Sequence, residues 1–299
     1  MKLWLDPSRK QDFAFISHAH ADHAARHRKI LATTTTSRIL KHRLGMNAHI
    51  TCSFGEPLQI GSGSVTLYPA GHILGSAQVL VELGDERLLY TGDFKLQPSR
   101  TAEPCRPVSC DYLIMECTYG LPQYRFPERA GVESHLVDSI VDVMERGEVP
   151  VVLAYALGRA QEVIQLLISR GFKVALERRI FELALIYEEL GVELGPYESF
   201  DPQNFDGRVL IFPPHLWNSP VLRRIPRKRT IAVTGWAIDG RQRSWYRSDM
   251  AFPISDHADF DDLTRYVEIT QPRQVYLIHG FPDFAQHLEK KGVNVTSLI

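Results

Sequence analysis

The chain has 299 residues, 44% of them hydrophobic, and a formal net charge of −1. That length suits one large domain or two modest ones with ample core, and the neutral balance excludes a polycation that would coat nucleic acid by charge alone. No apolar run approaches the roughly 20 residues that span a bilayer.

No charged, apolar and small-residue leader opens the chain, so secretion is not expected. The cysteines Cys52, Cys105, Cys110 and Cys117 form no CxxC pair. Their spacing predicts neither a disulfide framework nor a zinc knuckle, and the expectation is a cytoplasmic protein with reduced thiols.

In the first part of the chain, short strands separated by glycine and polar turns are predicted near 13–17, 49–54, 64–70, 77–83, 87–92 and 112–115. A short helix over 37–45 ends at its glycine. From about residue 130 the pattern changes. Val132, Leu136, Ile140, Val143 and Met144 follow a helical period, which Gly147 stops. Residues 151–154 then read as a buried strand, Gly158 opens a helix through Ile168, and 172–175 form another strand. Alternating helix and strand predicts a parallel sheet with helical cover. This inserted domain is expected to end near Asp249, after which 251–254 and 274–278 return to the first domain's sheet. The organisation is therefore 1–118, an insert over 119–249, and 250–299.

The chemistry concentrates at strand ends. His18, His20, Asp22 and His23 fall within the six positions 18–23, just after the apolar run 13–16. Imidazole nitrogen mixed with carboxylate oxygen suits zinc or manganese better than calcium. In extended chain His18 and His20 point the same way and can pinch one cation, while Asp22 and His23 follow the strand and can reach a second. His72, Asp93 and His279 each follow a predicted strand. Singly, each could be a satisfied polar group at a sheet edge. Together with the six-residue cluster they can converge on one edge.

These motifs, His18-x-His20-x-Asp22-His23 followed by His72 and Asp93, resemble the metallo-β-lactamase fold in its two-metal form. Three more segments resemble the β-CASP nucleases within it: Glu116 in Met115–Gly120 matches motif A, His257 in Ser255–Asp259 motif B, and His279 in Ile278–Gly280 motif C. Asp6, in Leu5-Asp6-Pro7, sits where the fold's first strand carries an acid. Leu5-Asp6-Pro7, residues 120–127 and Thr234-Gly235-Trp236-Ala237 look most like the bacterial ligase-associated DNA exonucleases. The resemblance implies an α/β fold, an αββα sandwich carrying an inserted α/β β-CASP domain. It implies two divalent cations, zinc or manganese. His18, His20 and His72 would hold one, Asp22, His23 and His279 the other, and Asp93 would bridge them. Asp22 would thus serve catalysis as well. His257 would protonate the leaving oxygen, Glu116 would orient it, and Asp6 would support the His-rich loop. From sequence alone Glu116 could equally be an ordinary acid at a strand end, and Asp256 is expected to cap the helix beginning near Phe260 rather than to act in catalysis.

Nucleic acid is the expected partner, DNA by resemblance, held between the domains. Gly158 and Arg159 open a helix after a strand and could receive a phosphate, or could be a plain turn. Arg223, Arg224, Arg227 and Arg229 form the densest basic run, a solvated loop or a backbone-tracking patch. Trp236, Arg241, Arg243, Trp245, Tyr246 and Arg247 mix cations with aromatics as a single-strand groove would, though Trp236 could be core.

A helix N-terminus near the cleft favours 5′-to-3′ digestion. An ATP-dependent DNA ligase and a helicase are implied as partners in repair, and no membrane is. Two departures stand out: few residues precede Asp6, so either the first sheet would lack an edge strand or the sequence would start late, and the C-terminal extensions of the larger RNA-processing relatives are missing. The rival expectations are a β-CASP ribonuclease in RNA processing and a small-molecule hydrolase, a thioesterase or lactonase, on the same cradle.

Overall fold

A computed structural model describes residues 2–239 and 247–299. Arg241, Arg243, Trp245 and Tyr246, considered above for a strand groove, lie outside the described residues. The chain forms two compact units, one of 1–125 with 256–299, the other of 126–255.

The first unit stacks two sheets. Among the described residues the smaller is parallel, in the order Trp4–Leu5, Ala14–Phe15, Ile30–Thr33, Ile50–Cys52. The larger runs Val295–Ser297, Gln274–Gly280, Tyr112–Cys117, Glu86–Tyr90, Ala77–Leu83, Gly63–Pro69, Pro57–Ile60. It is parallel as far as Glu86–Tyr90 and antiparallel beyond. Side chains alternate across it with the period of two that a strand imposes. Val79 and Tyr90 pack inward with Phe13, Phe15 and Leu31 of the smaller sheet. Leu80, Leu89, Leu113 and Met115 face the other way, onto Leu263, Tyr266 and Val267 of the helix Phe260–Thr270. The helix Thr34–Leu44 buries Ile39 and Leu40 and packs by the strand Ile30–Thr33, so the layers read helix, sheet, sheet, helix.

In the second unit the described strands make one parallel sheet in the order Glu198–Ser199, Val174–Leu176, Val209–Phe212, Val149–Leu153, Lys228–Val233, Met250–Phe252. Helices Arg129–Glu145, Arg159–Ser169 and Arg178–Glu189 accompany it.

Two expectations need correction. Residues 251–254 do not rejoin the first sheet: Met250–Phe252 pairs in parallel with Ile231–Val233 as an edge of the second unit. Pro253, which follows, has no N–H to extend that ladder. Asp256 does not cap the following helix. Asp259 does, accepting the Asp262 N–H at 2.8 Å, because the cap must immediately precede the first helical residue. The strands Ile30–Thr33 and Pro57–Ile60 were not expected.

Candidate metal centre

Strand ends from both sheets deliver the site. The buried strand Ala14–Phe15 ends at Ile16, whose N–H still bonds the Leu31 carbonyl at 2.9 Å. Ser17 and His18 therefore leave the sheet in fixed directions. Gly92, ahead of Asp93, has φ +56°, and a β-carbon there would meet Ser17 Oγ at 2.7 Å. Only glycine lets the Asp93 turn lie that close to the His-rich loop.

His18, His20, His72 and Asp93 form one cluster, their ligand atoms all within 4.8 Å of one another. His20 Nδ1 is 3.1 Å from His18 Nε2 and 3.1 Å from His72 Nε2. Asp93 Oδ2 lies 3.5 Å from His18 Nε2 and 3.8 Å from His72 Nε2. Ligands about 2.1 Å from a tetrahedral zinc sit roughly 3.4 Å apart, so this donor set fits a divalent cation without rearrangement. The same Asp93 oxygen is 3.3 Å from His23 Nε2. One carboxylate oxygen thus faces two groups of imidazoles.

The second half is more open. Asp22 Oδ2 is 3.9 Å from His23 Nε2, with its side chain 79% exposed. The His279 ring centroid is 5.4 Å from that of His23. His279 is exposed and has a φ of 50°. Asp22 and His279 border the site without joining its close-packed ligand clusters.

A second ring of groups fixes the imidazoles. Ser17 Oγ donates to Asp6 Oδ2 at 2.5 Å, so its oxygen accepts from His18 Nδ1 at 2.9 Å. His23 Nδ1 donates to Asp6 Oδ2 at 2.9 Å, and His72 Nδ1 to the Asp256 carbonyl at 2.8 Å. In His18 and His72 the proton is held on Nδ1 and the Nε2 lone pair turns to the site, as metal-ligating histidines require, and the same Nδ1 contact would turn His23 Nε2 to a cation once its second proton is lost. Asp6 also accepts the Ser17 N–H at 2.7 Å and the Tyr90 hydroxyl at 2.8 Å.

Electrostatics follow from burial and pairing. Burial holds His18 well below its ordinary pKa. Burial and the neighbouring His257 bring His72 down to about 4. Both are therefore neutral and available as ligands. Asp93 stays ionised against its burial because His23 lies beside it. His23 is raised to about 11 against its burial by Asp93 and Asp6. A cation in that half must displace a proton from His23.

His257 adjoins the cluster, its ring centroid 4.5 Å from that of His72. His257 Nδ1 bonds both oxygens of buried Glu116, at 2.9 and 3.1 Å. Against burial, Glu116 and Asp93 raise His257 to about 9. Glu116 is itself held by the Phe94 N–H at 2.8 Å and by Thr118. Sequence reasoning did not single out Ser17, Tyr90, Thr118 or the Asp256 carbonyl. A polar residue beside each motif acid or histidine was the available signal.

The proposed phosphate contacts are more committed elsewhere. The Gly158 N–H donates to Gln161 Oε1 at 2.8 Å. Arg159 is buried and lies over the Tyr155 ring at 5.2 Å. Arg229 pairs with Glu148 at 2.8 Å, and Arg227 bonds the Arg146 carbonyl at 2.6 Å. Arg223 and Arg224 are exposed. Trp236 is half-buried in the short helix Gly235–Ile238, and Arg247 lies 5.6 Å over Trp217.

A histidine and aspartate cradle that could hold a metal ion thus lies at the strand ends of a four-layer sandwich. Residues 251–297 match the family described as the Zn-dependent metallo-hydrolase RNA specificity domain. The chain is 41% identical over 99% of its length to a protein of Opitutus terrae named a probable DNA ligase, and covers 29% of that protein. It is 32% identical over 51% of its length to an RNase J-like protein of Methanocaldococcus jannaschii, covering 42% of it. The chain thus spans well under half of either relative. A structure from Enterococcus faecalis V583, of a protein of unknown function, superposes with a TM-score of 0.64 over 98% of this chain and 81% of its own, at 16% identity. The chain belongs to the β-CASP family of the metallo-β-lactamase fold.

Proposed function

We propose that this protein is a two-metal nuclease that hydrolyses DNA from an end. The observation that carries it is the Glu116–His257 pair beside the ligand cluster, a proton donor poised next to a cation cradle. His18, His20, His72 and Asp93 would hold one zinc or manganese ion, and Asp93, Asp22, His23 and His279 the other. Bound cations would lower the pKa of water and take up charge on the phosphodiester oxygens.

The chain's own residues supply the rest. Glu116 keeps His257 protonated near neutral pH and occupies its Nδ1. Nε2, 3.9 Å from Asp256 Oδ1, would protonate the leaving oxygen. Asp6 and Ser17 hold His18 and His23 in the tautomer that binds.

DNA is favoured because the likeness to the Opitutus terrae protein named a probable DNA ligase covers nearly the whole chain. That name supports action beside a DNA ligase, and the resemblance of the motifs supports an ATP-dependent one working in repair. A second reading, ribonuclease, is favoured by the match of 251–297 to an RNA specificity domain.

The test is degradation of matched 5′-labelled DNA and RNA strands with added manganese or zinc, beside Asp22→Ala and His257→Ala chains. Mononucleotides from DNA, absent with the variants, are expected, and the label released first gives 5′-to-3′ polarity. Cleavage of RNA alone would replace the DNA reading. Cleavage of neither, with metal bound, would leave a small-molecule hydrolase.

A further inference from the structure

The geometry points to a second strand-binding site, a cavity at the far end of the smaller sheet that takes single-stranded nucleic acid through a stacked base and paired phosphates. The cavity holds about 790 Å³, and Lys2, Trp4, Phe13, Arg28, Lys29 and His49 line it. These residues stand at or just before the N-terminal ends of the parallel strands Trp4–Leu5, Ala14–Phe15, Ile30–Thr33 and Ile50–Cys52. The metal ligands follow the opposite, C-terminal ends. From Phe13 to His18 the chain spans at most about 18 Å. A strand leaving the cleavage site could therefore reach the cavity while its end is being cut.

The lining has the chemistry of a single-strand site. Three of its cations, Lys2, Arg28 and Lys29, face one acid, Asp12, in a chain whose net charge is −1. Asp12 does not cancel them: its contact with Arg28 is 3.9 Å long, with both side chains over three-quarters exposed, at 91% and 80%. Such a pair is weak and readily exchanged for a phosphate. Cations and aromatics interleave. Lys2 Nζ sits 4.4 Å over Trp4 and Lys29 Nζ 5.0 Å over Phe13. Phe13 is buried and acts as a floor, whereas Trp4 on the sheet's edge strand is 37% exposed and offers a face to a base. His49 accepts the Ile30 N–H on Nδ1 at 3.1 Å, which leaves its Nε2–H to donate to a phosphate. Every base has a π-face, so such a platform is indifferent to sequence, as a processive nuclease needs.

The inference rests on a nucleic-acid substrate, so binding is measured apart from cleavage. In an Asp22→Ala background, anisotropy of labelled oligo(dT) is titrated across salt. Trp4→Ala should weaken binding by about 5- to 150-fold, and Trp4→Phe should restore most of it. Lys2→Gln with Lys29→Gln should lower the salt slope by about 1.4, two phosphate contacts at roughly 0.7 each on a single strand. In the otherwise native chain these substitutions should leave hydrolysis of bis(p-nitrophenyl) phosphate unchanged, which also reports folding. Unchanged oligo(dT) affinity and slope overturn the proposal. Loss of binding to polyglutamate but not to oligo(dT) overturns it in favour of an acidic protein partner. Oligo(dT) binding that depends on Trp4, in a chain that cuts no nucleic acid, upholds the site and sinks the nuclease reading.

Discussion

Replacing Glu116 by Gln should move the basic limb of the pH–activity profile. The amide keeps the shape of the side chain and can still accept from His257 Nδ1, now 2.9 Å from Glu116 Oε1. It removes the negative charge that, together with Asp93, holds His257 at about 9 against its burial. Without that charge the imidazole should fall to its ordinary 6.5 or below. At pH 8 about nine-tenths of the native His257 is protonated, against about one-thirtieth at a pKa of 6.5, a roughly 30-fold loss of the acid form. Because the folded-state value is raised, the associated stability is complete below 6.5 and is lost as pH rises through about 9. The assay is kcat against pH on a labelled strand at saturating metal. Activity should fall above about pH 9 in the native chain and above about 6.5 in the variant. A basic limb that stays in place would refute His257 as the proton donor held by Glu116.

Three further substitutions test the site's construction. Asp6→Ala strands the Tyr90 hydroxyl, the Ser17 N–H and hydroxyl, and His23; at about 1–3 kcal/mol per buried unsatisfied group, the urea midpoint should drop sharply. Asp22→Ala lies at a side chain 79% exposed, so stability should change by no more than about 0.5 kcal/mol, while metal bound per chain, by elemental analysis, falls by one. Gly280→Ala should fail to fold or lose activity, because Gly280 has φ +115° and a β-carbon would run into the Cys117 carbonyl; a soluble, active variant of native melting temperature would contradict this.

Much of the site was legible because its ligands follow strands. His18, His72 and Asp93 each come within a few residues of an apolar or alternating run, and such runs announce strand ends. What escaped was written in less distinctive residues. Ile30–Thr33 is four residues long and leads straight into threonines that begin a helix, so no period could establish itself. Pro57–Ile60 is equally short and opens on proline. The edge strand Met250–Phe252 reads the same in either sheet, and only pairing with Ile231–Val233 decides between them. Ser17 and the Asp256 carbonyl were invisible for a different reason: a hydroxyl or a backbone oxygen gains its role from a partner distant in sequence, 184 residues away for His72 and Asp256.

The most direct measurement is anomalous diffraction from crystals grown with manganese and with zinc, collected at each absorption edge. Two peaks flanking Asp93 are expected, one among His18, His20 and His72, the other among Asp22, His23 and His279. Asp22→Ala should erase the second alone. A single peak in the native chain, or peaks away from Asp93, would contradict the two-metal centre.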